Sequence, residues 1–232
     1  MLYVIPTPVG NLEDITIRAK RILTEAKLLL CEDPRSTAML LKLLEIKSDQ
    51  KLIQLSKKQE INFKGIEEVI SELKKHATDE NDYIIGLVCD AGTPGISDPG
   101  KVVIQKLWDN NLDFTVLPGA TSLIPAIVAS GMLTKDWCFK GFLPIKKGRQ
   151  TMWKEINQSQ VASVIFESVH RMEKTILEMK EYLPPNRLVF IAREISKLHE
   201  TYWRGKIEDL DPKQVTLKGE FVLVIGGVED IV

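Results

Sequence analysis

Cysteine and histidine are scarce, with three of each among 232 residues. Cys31, Cys89 and Cys138 lie far apart, each in or beside an apolar β-like run, and none belongs to a CxxC or Cys/His spacing. That leaves no zinc site and no disulfide framework to expect; the three are read as reduced, buried thiols, and no metal is expected. Long apolar runs are missing too. No stretch approaches the roughly 18 residues of a membrane span, and Met1-Leu2-Tyr3-Val4-Ile5-Pro6 has no basic residue ahead of its apolar run. The expectation is therefore a cytoplasmic protein with no membrane partner. Nor is there an excess of positive charge: 31 Lys and Arg against 32 Asp and Glu give a net charge of −1. A global attraction for a polyanion is excluded, and any nucleic-acid contact must rely on local patches. The GxxxxGK[ST] and GxGxxG spacings of nucleotide loops are absent, as are repeats, low-complexity stretches and long linkers.

What is present is alternation. Leu2 to Pro6 reads as a strand, and Ile15, Ile17, Ala19, Ile22, Leu23 and Ala26 put one apolar stripe on a helix. The pattern continues with strands at Leu28 to Glu32, Leu52 to Leu55, Tyr83 to Cys89 and Phe114 to Leu117, and helices at Thr37 to Leu44, Ile66 to His76 and Val102 to Trp108. Such alternation implies a parallel sheet covered by helices. Downstream, strands are expected at Trp137 to Phe142, Val161 to Glu167, Leu188 to Arg193, His199 to Arg204 and Glu220 to Ile225. Only two clear helices intervene, around Met152 and at Lys174 to Tyr182, so strands that follow one another directly are expected to pair antiparallel and the second sheet to be mixed. The fold class is α/β with two α/β domains, residues 1–117 and 118–232, the boundary falling near Pro118 to Leu133 and a cleft lying between them.

The segment Asp90-Ala91-Gly92-Thr93-Pro94-Gly95-Ile96-Ser97-Asp98-Pro99-Gly100 leaves the carboxyl end of an apolar strand and feeds a helix, the place where open parallel sheets bind ligands. Its glycines permit close backbone approach, its prolines stiffen the turn, and Asp90 and Asp98 offer acceptors for hydroxyl or amino groups. The plainer alternative is a turn in which Ser97 or Asp98 caps the next helix. Thr7-Pro8-Val9-Gly10-Asn11-Leu12-Glu13-Asp14 ends the first strand, and Asp14 is the expected cap of the following helix. Pro118-Gly119-Ala120-Thr121-Ser122 is another strand end, with two hydroxyls and free helix amides for a carboxylate or ribose, or simply a capped helix.

Phe166-Glu167-Ser168-Val169-His170-Arg171 and Ala192-Arg193-Glu194 also fall at predicted strand ends. In residues, order and spacing these five segments, with Gly141-Phe142-Leu143-Pro144 and Lys218-Gly219-Glu220-Phe221-Val222-Leu223, resemble the ribosomal RNA small subunit 2′-O-methyltransferases over essentially the whole chain. That family methylates a cytidine ribose and lies within the tetrapyrrole (corrin/porphyrin) methylase superfamily. The resemblance implies a homodimer that binds S-adenosylmethionine in the interdomain cleft and acts on ribosomal RNA or the small ribosomal subunit. Carried over by position, cofactor contacts fall at Val9, Asp90, Ala91, Gly92, Thr93, Ile96, Thr121 and Ser122. The chain departs from the pattern at Pro34 and Ser36, where the family usually shows Thr and His, at Gly95 in place of a larger apolar residue, and at Val169 in place of proline. It also stops shortly after Gly226-Gly227, without the small helical extension of many members. A tetrapyrrole methylase acting on a small molecule is the alternative, but the first loop reads Thr7-Pro8-Val9-Gly10-Asn11 rather than GxGPGD. A non-catalytic, ribosome-associated module that binds the cofactor is another.

Displacement at a sulfonium requires the acceptor oxygen to be held in line and water to be kept out, and no metal. A ribose hydroxyl gains from a nearby proton acceptor or a group that stabilises the alkoxide, and the catalytic candidates are Glu167, His170, Arg171 and Glu194. His170 can equally be a surface or capping residue. Arg171, Arg193, Lys197, Lys146, Lys147 and Arg149 are candidates for phosphate contact or form solvated faces. Glu32, Asp33 and Arg35 either orient the acceptor or hold a buried Asp33–Arg35 pair.

Overall fold

The computed structural model describes residues 1–47, 49–57, 60–76, 83–132 and 135–228. The chain divides into two compact units, Met1–Thr121 and Ser122–Val232. In the first, β1 (Leu2–Val4), α1 (Ile17–Glu25), β2 (Leu28–Cys31), α2 (Pro34–Leu43) and β3 (Lys51–Gln54) come first. A short hairpin of β4 (Ser56–Lys57) and β5 (Glu60–Ile61) follows, then α3 (Phe63–Lys75), β6 (Ile85–Leu87), α4 (Gly100–Asp109) and β7 (Phe114–Val116). Its main sheet has the order β3-β2-β6-β1-β7 and is parallel throughout.

The apolar run 28–31 is continuous because both faces of β2 are covered. Leu28 and Leu30 join Ile66, Val69, Ile70 and Leu73 of α3 in one core cluster. Leu29 and Cys31 join Ala19, Ile22 and Leu23 of α1 and Leu41 of α2 in the other. Each such Leu or Ile contributes about 1.5–3 kcal/mol on burial. The strand expected over Tyr83 to Cys89 is shorter, since its parallel ladders pair only Ile85, Gly86 and Leu87. Two helix starts also differ from expectation. Asp14 closes a 3-10 turn, Leu12–Asp14, and Thr16 caps α1, its hydroxyl accepting from the Ala19 N–H at 3.0 Å. Helix α2 begins at Pro34 rather than Thr37, because Asp33 caps it and proline at the first position forgoes no intrahelical hydrogen bond.

The second unit contains α5 (Leu123–Ser130), β8 (Trp137–Phe142), α6 (Arg149–Gln158), β9 (Ala162–Ser168), α7 (Val169–Tyr182), β10 (Leu188–Arg193), β11 (Thr201–Lys206) and β12 (Glu220–Ile225). Helix α5 lies in the segment expected to hold the boundary, whose last residue, Leu133, is outside the described residues. The sheet order is β11-β10-β12-β9-β8, with β8 and β9 parallel and the other pairs antiparallel, so it is mixed as expected. One expectation fails: β11 and β12 are consecutive yet do not pair. After β11 the chain runs through two 3-10 turns, Ile207–Asp209 and Pro212–Gln214, anchored by buried Ile207, Leu210 and Val215, and β12 enters between β10 and β9. Residues 221–225 of β12 are all buried, which suits a central strand covered on both faces. Cys31 and Cys89 are buried free thiols, whereas Cys138, expected to be buried, is half-exposed on β8, a strand at the sheet edge.

Candidate active site

Parallel strands deliver their carboxyl ends to one edge, and in the first unit the loops after β1, β6 and β7 meet there. Thr7 and Gly92 form an antiparallel bridge, Thr7 N–H to Gly92 O at 2.9 Å and Gly92 N–H to Thr7 O at 3.0 Å. The buried Thr7 hydroxyl donates to the Cys89 carbonyl at 3.1 Å. The Thr93 hydroxyl donates to the Ala120 carbonyl at 2.9 Å, tying the second loop to the third. Gly92 has φ +80°, a left-handed conformation that glycine adopts without strain. A Cβ there would lie 3.4 Å from Val9 Cγ1, 3.7 Å from the Ala120 carbonyl and 3.9 Å from Thr121 Cα. The absent side chain thus leaves a small recess walled by Val9, Ala120 and Thr121.

Asp98 has a different task. Its carboxylate accepts from the N–H groups of Gly95 at 2.9 Å and Gly100 at 2.7 Å, closing the turn and capping the first residue of α4. It is therefore a turn holder, while Asp90, Ala91, Ile96 and Ser97 are the exposed members of the loop.

Acidic groups gather beside this loop. The Glu32 carboxylate lies 3.5 Å from the Asp90 N–H, and burial, followed by the Asp90 charge, pushes it above the ordinary range. Burial also raises Asp90, against hydrogen bonds from the Asp33 main chain and the Ser36 hydroxyl. Asp33 is lowered by the Arg35 guanidinium, and their 2.7 Å pair lies at the surface, the Arg35 side chain being 91% exposed. The buried pair considered from sequence does not form. Asp33 stays outside because it caps α2.

In the second unit Glu167 is fully buried at the end of β9. Its Oε1 accepts from the Ser168 N–H at 2.8 Å and pairs with Arg171 at 2.7 Å. Its Oε2 accepts from the Thr175 hydroxyl at 2.7 Å and faces Arg149 at 3.6 Å. Arg149, expected among surface phosphate contacts, is itself buried, and bonds Glu178 and Thr175, each at 2.7 Å. Arg193 donates to the carbonyls of Lys218 and His199, and Lys197 pairs with Glu194 at 3.0 Å and Glu220 at 2.9 Å. Burial works against the Glu194 charge, but the Glu220 main chain and Lys197 outweigh it and lower its pKa. His170 is exposed in the first turn of α7, and its side chain makes no hydrogen bond or ion pair among the described residues.

The sequence profile of the Tetrapyrrole (Corrin/Porphyrin) Methylases matches residues 1–211. The chain belongs to this family. Among curated relatives, it is 42% identical to the "Ribosomal RNA small subunit methyltransferase I" of Hydrogenobaculum sp. (strain Y04AAS1), over 97% of this chain and 94% of that one. It is 36% identical to the protein of the same name from Synechocystis sp. (strain ATCC 27184 / PCC 6803 / Kazusa), over 98% of this chain and 79% of the relative. Among solved structures, the uroporphyrin-III C-methyl transferase from Thermus thermophilus complexed with S-adenyl homocysteine shares the fold at TM-score 0.65 and 15% identity, over 100% of this chain and 99% of that one. The protein is thus a methyltransferase.

For this methylase, the first unit brings Val9, Gly92, Thr93 and Thr121 of the expected cofactor set around one recess, with Asp90, Ala91 and Ile96 exposed on the same loop. Ser122 is the N-cap of α5 and makes no side-chain cap bond. Of the catalytic candidates, Glu167 and Arg171 are paired with each other, Glu194 is held by Lys197, and His170 is uncommitted. Sequence reasoning missed Thr7, Ala120, Thr175 and Glu178. For the last two a signal existed: positions 171, 175 and 178 form a polar stripe at i, i+4, i+7 beside the apolar stripe Met172, Ile176 and Met179 of α7. Among the described residues, no helix is long and apolar enough to cross a membrane, and no three His, Cys, Asp or Glu side chains are grouped to hold a metal ion.

Proposed function

We propose that the protein transfers the methyl group of S-adenosylmethionine to the 2′-hydroxyl of a cytidine in small-subunit ribosomal RNA. The observation that carries this reading is the recess at Gly92, walled by an apolar side chain of the loop after β1 and the backbone of the loop after β7. A small ligand with both apolar and polar parts fits such a wall. The curated relatives named as small-subunit ribosomal RNA methyltransferases support the choice of acceptor.

When bound, S-adenosylmethionine supplies an electrophilic methyl carbon on a sulfonium. Val9, Ala91, Gly92, Thr93, Ile96, Thr121 and Ser122 hold the donor, and the Asp90 carboxylate accepts from its hydroxyl or amino groups. Holding donor and acceptor in line supplies most of the acceleration. The O–C bond would form as the methyl–sulfur bond breaks and leaves a neutral thioether, and His170 would take the proton the 2′-oxygen loses, being the candidate whose side chain is both exposed and free of internal partners. Lys146 and Lys147, exposed after β8, meet the phosphates. We further place the protein in the cytoplasm as a homodimer, following the resemblance of its motifs.

The test is transfer of labelled methyl groups to ribosomal particles from a strain lacking this gene, with the modified nucleotide mapped and a tetrapyrrole precursor assayed in parallel. Label on a cytidine 2′-oxygen is the expected result. Label on the tetrapyrrole, or donor binding without transfer to either acceptor, overturns the reading. In Gly92→Arg, whose side chain fills the recess, donor binding is expected to be lost.

A further inference from the structure

Two guanidinium groups of the second unit converge on one loop. Arg171 donates through one Nη to the Leu143 carbonyl at 2.7 Å, and Arg149 donates to the Pro144 carbonyl at 3.2 Å. These are successive carbonyls in the segment between β8 and α6. Both cations face the same carboxylate, Glu167, and Arg149 is balanced on its far side by Glu178, which also accepts from the Trp153 indole N–H at 3.0 Å. The side chain of Glu167 has no exposed surface. A carboxylate so enclosed, already accepting from Ser168, Arg171 and Thr175, has no route to a ribose hydroxyl, and a proton placed on it would break a pair to a buried cation.

The loop held in this way is exposed where it faces outward. Phe142 is about half exposed, Ile145 is 73% exposed, and Lys146 and Lys147, which follow in the same loop, are exposed as well. The Arg171 guanidinium carbon lies 5.9 Å from the Phe142 ring centroid, so one arginine fixes both the carbonyl of Leu143 and the aromatic ring before it. A half-exposed aromatic ring and two exposed lysines on one short loop suit an unpaired nucleotide, base on ring and phosphate on ammonium. Glycines at each end, Gly141 at φ +68° and Gly148 at φ +87°, turn the chain into and out of the loop.

We infer that Glu167 is a positioning residue: through Arg149 and Arg171 its carboxylate clamps the loop 141–148, and that loop is the surface on which the RNA substrate is seated. The inference rests on the ribosomal RNA reading above, and it assigns Glu167 no part in proton transfer. It predicts that weakening the clamp loosens the loop and the hold on RNA, and leaves the chemistry intact.

The experiment compares wild type, Glu167→Gln, Thr175→Val and the double variant Lys146→Ala/Lys147→Ala, by amide hydrogen exchange on the full chain and by steady-state methylation of ribosomal particles across pH. Thr175→Val removes one hydroxyl from the network and serves if Glu167→Gln does not fold. Exchange across 141–148 is expected to quicken in Glu167→Gln and Thr175→Val while the centre of β9 stays protected. The KM for particles is expected to rise about tenfold, with the KM for S-adenosylmethionine and the shape of the kcat–pH profile unchanged. The lysine variant is expected to raise the same KM without changing exchange at Leu143. A fall in kcat of about 100-fold or more at saturating particles with loss of the acidic limb makes Glu167 the base and overturns the inference; so does unaltered exchange in the loop. If the wild type methylates no RNA, the functional reading fails instead, and exchange, which needs no substrate, still decides the clamp.

Discussion

Gly92 shapes the loop after β6 by what it lacks. At φ +80° an L side chain is strained, although a Cβ would meet Val9 in ordinary contact at 3.4 Å. Gly92→Ala is therefore expected to lower stability by about 1 kcal/mol, read as a fall in Tm, and to weaken donor binding by titration calorimetry. A neighbouring residue has a pH signature. Burial raises the Asp90 pKa, and the same holds for Glu32. A carboxylate raised in the folded state gives stability that is fully present below its unfolded pKa and lost as pH rises through the folded value. At neutral pH both groups therefore oppose folding. Asp90→Asn is expected to raise Tm at pH 7, with the gain vanishing below about pH 4, where unfolded carboxylates are themselves protonated. A gain that persists in acid would refute this sign.

Among the elements, the strands and helices were legible wherever apolar period and burial agree. The segments 188–193 and 220–225 were placed to the residue because they are buried β-rich runs bounded by turns. That the loops after β1, β6 and β7 lie at strand ends was legible, since glycine and proline mark those ends. Their connections were not, for the Thr7–Gly92 bridge and the Thr93–Ala120 bond join residues that are distant in sequence, and no local pattern encodes which backbone groups meet. Arg149 was misread for a related reason. Beside Lys146 and Lys147 it looks like part of a solvated basic run, but it is the first residue of α6 and turns inward to Glu178 and Thr175. Arg149→Met leaves two carboxylates without their shared cation. A loss of about 3–5 kcal/mol is expected, measured by urea unfolding. An effect below about 1 kcal/mol, the range of exposed pairs, would show that the site is wetter than its burial implies.

At the scale of the whole molecule, acidic and basic residues nearly cancel, 32 against 31. Attraction to RNA then comes from small patches such as Lys146 and Lys147. The affinity for isolated ribosomal RNA should fall only gently with salt, with a log–log slope no steeper than about −2, since each phosphate neutralised on a single strand contributes about 0.7. A slope several times steeper would reveal a basic surface that the sequence total conceals.

The order of strands in the second sheet bears on how the protein is made. β12, the last strand in the described chain, occupies the middle of that sheet, with β10 on one side and β9 on the other. While the polypeptide is still emerging from the ribosome that builds it, β9 and β10 wait with unpaired edges that only β12 can close. The first unit has a wait of the same kind, since β6 enters between β2 and β1, but it ends well before the chain is finished, and the last strand there, β7, only adds an edge beside β1. Synthesis therefore delivers a first half able to close early and a second half vulnerable until its final strand is out, when an open edge is most apt to find a wrong partner.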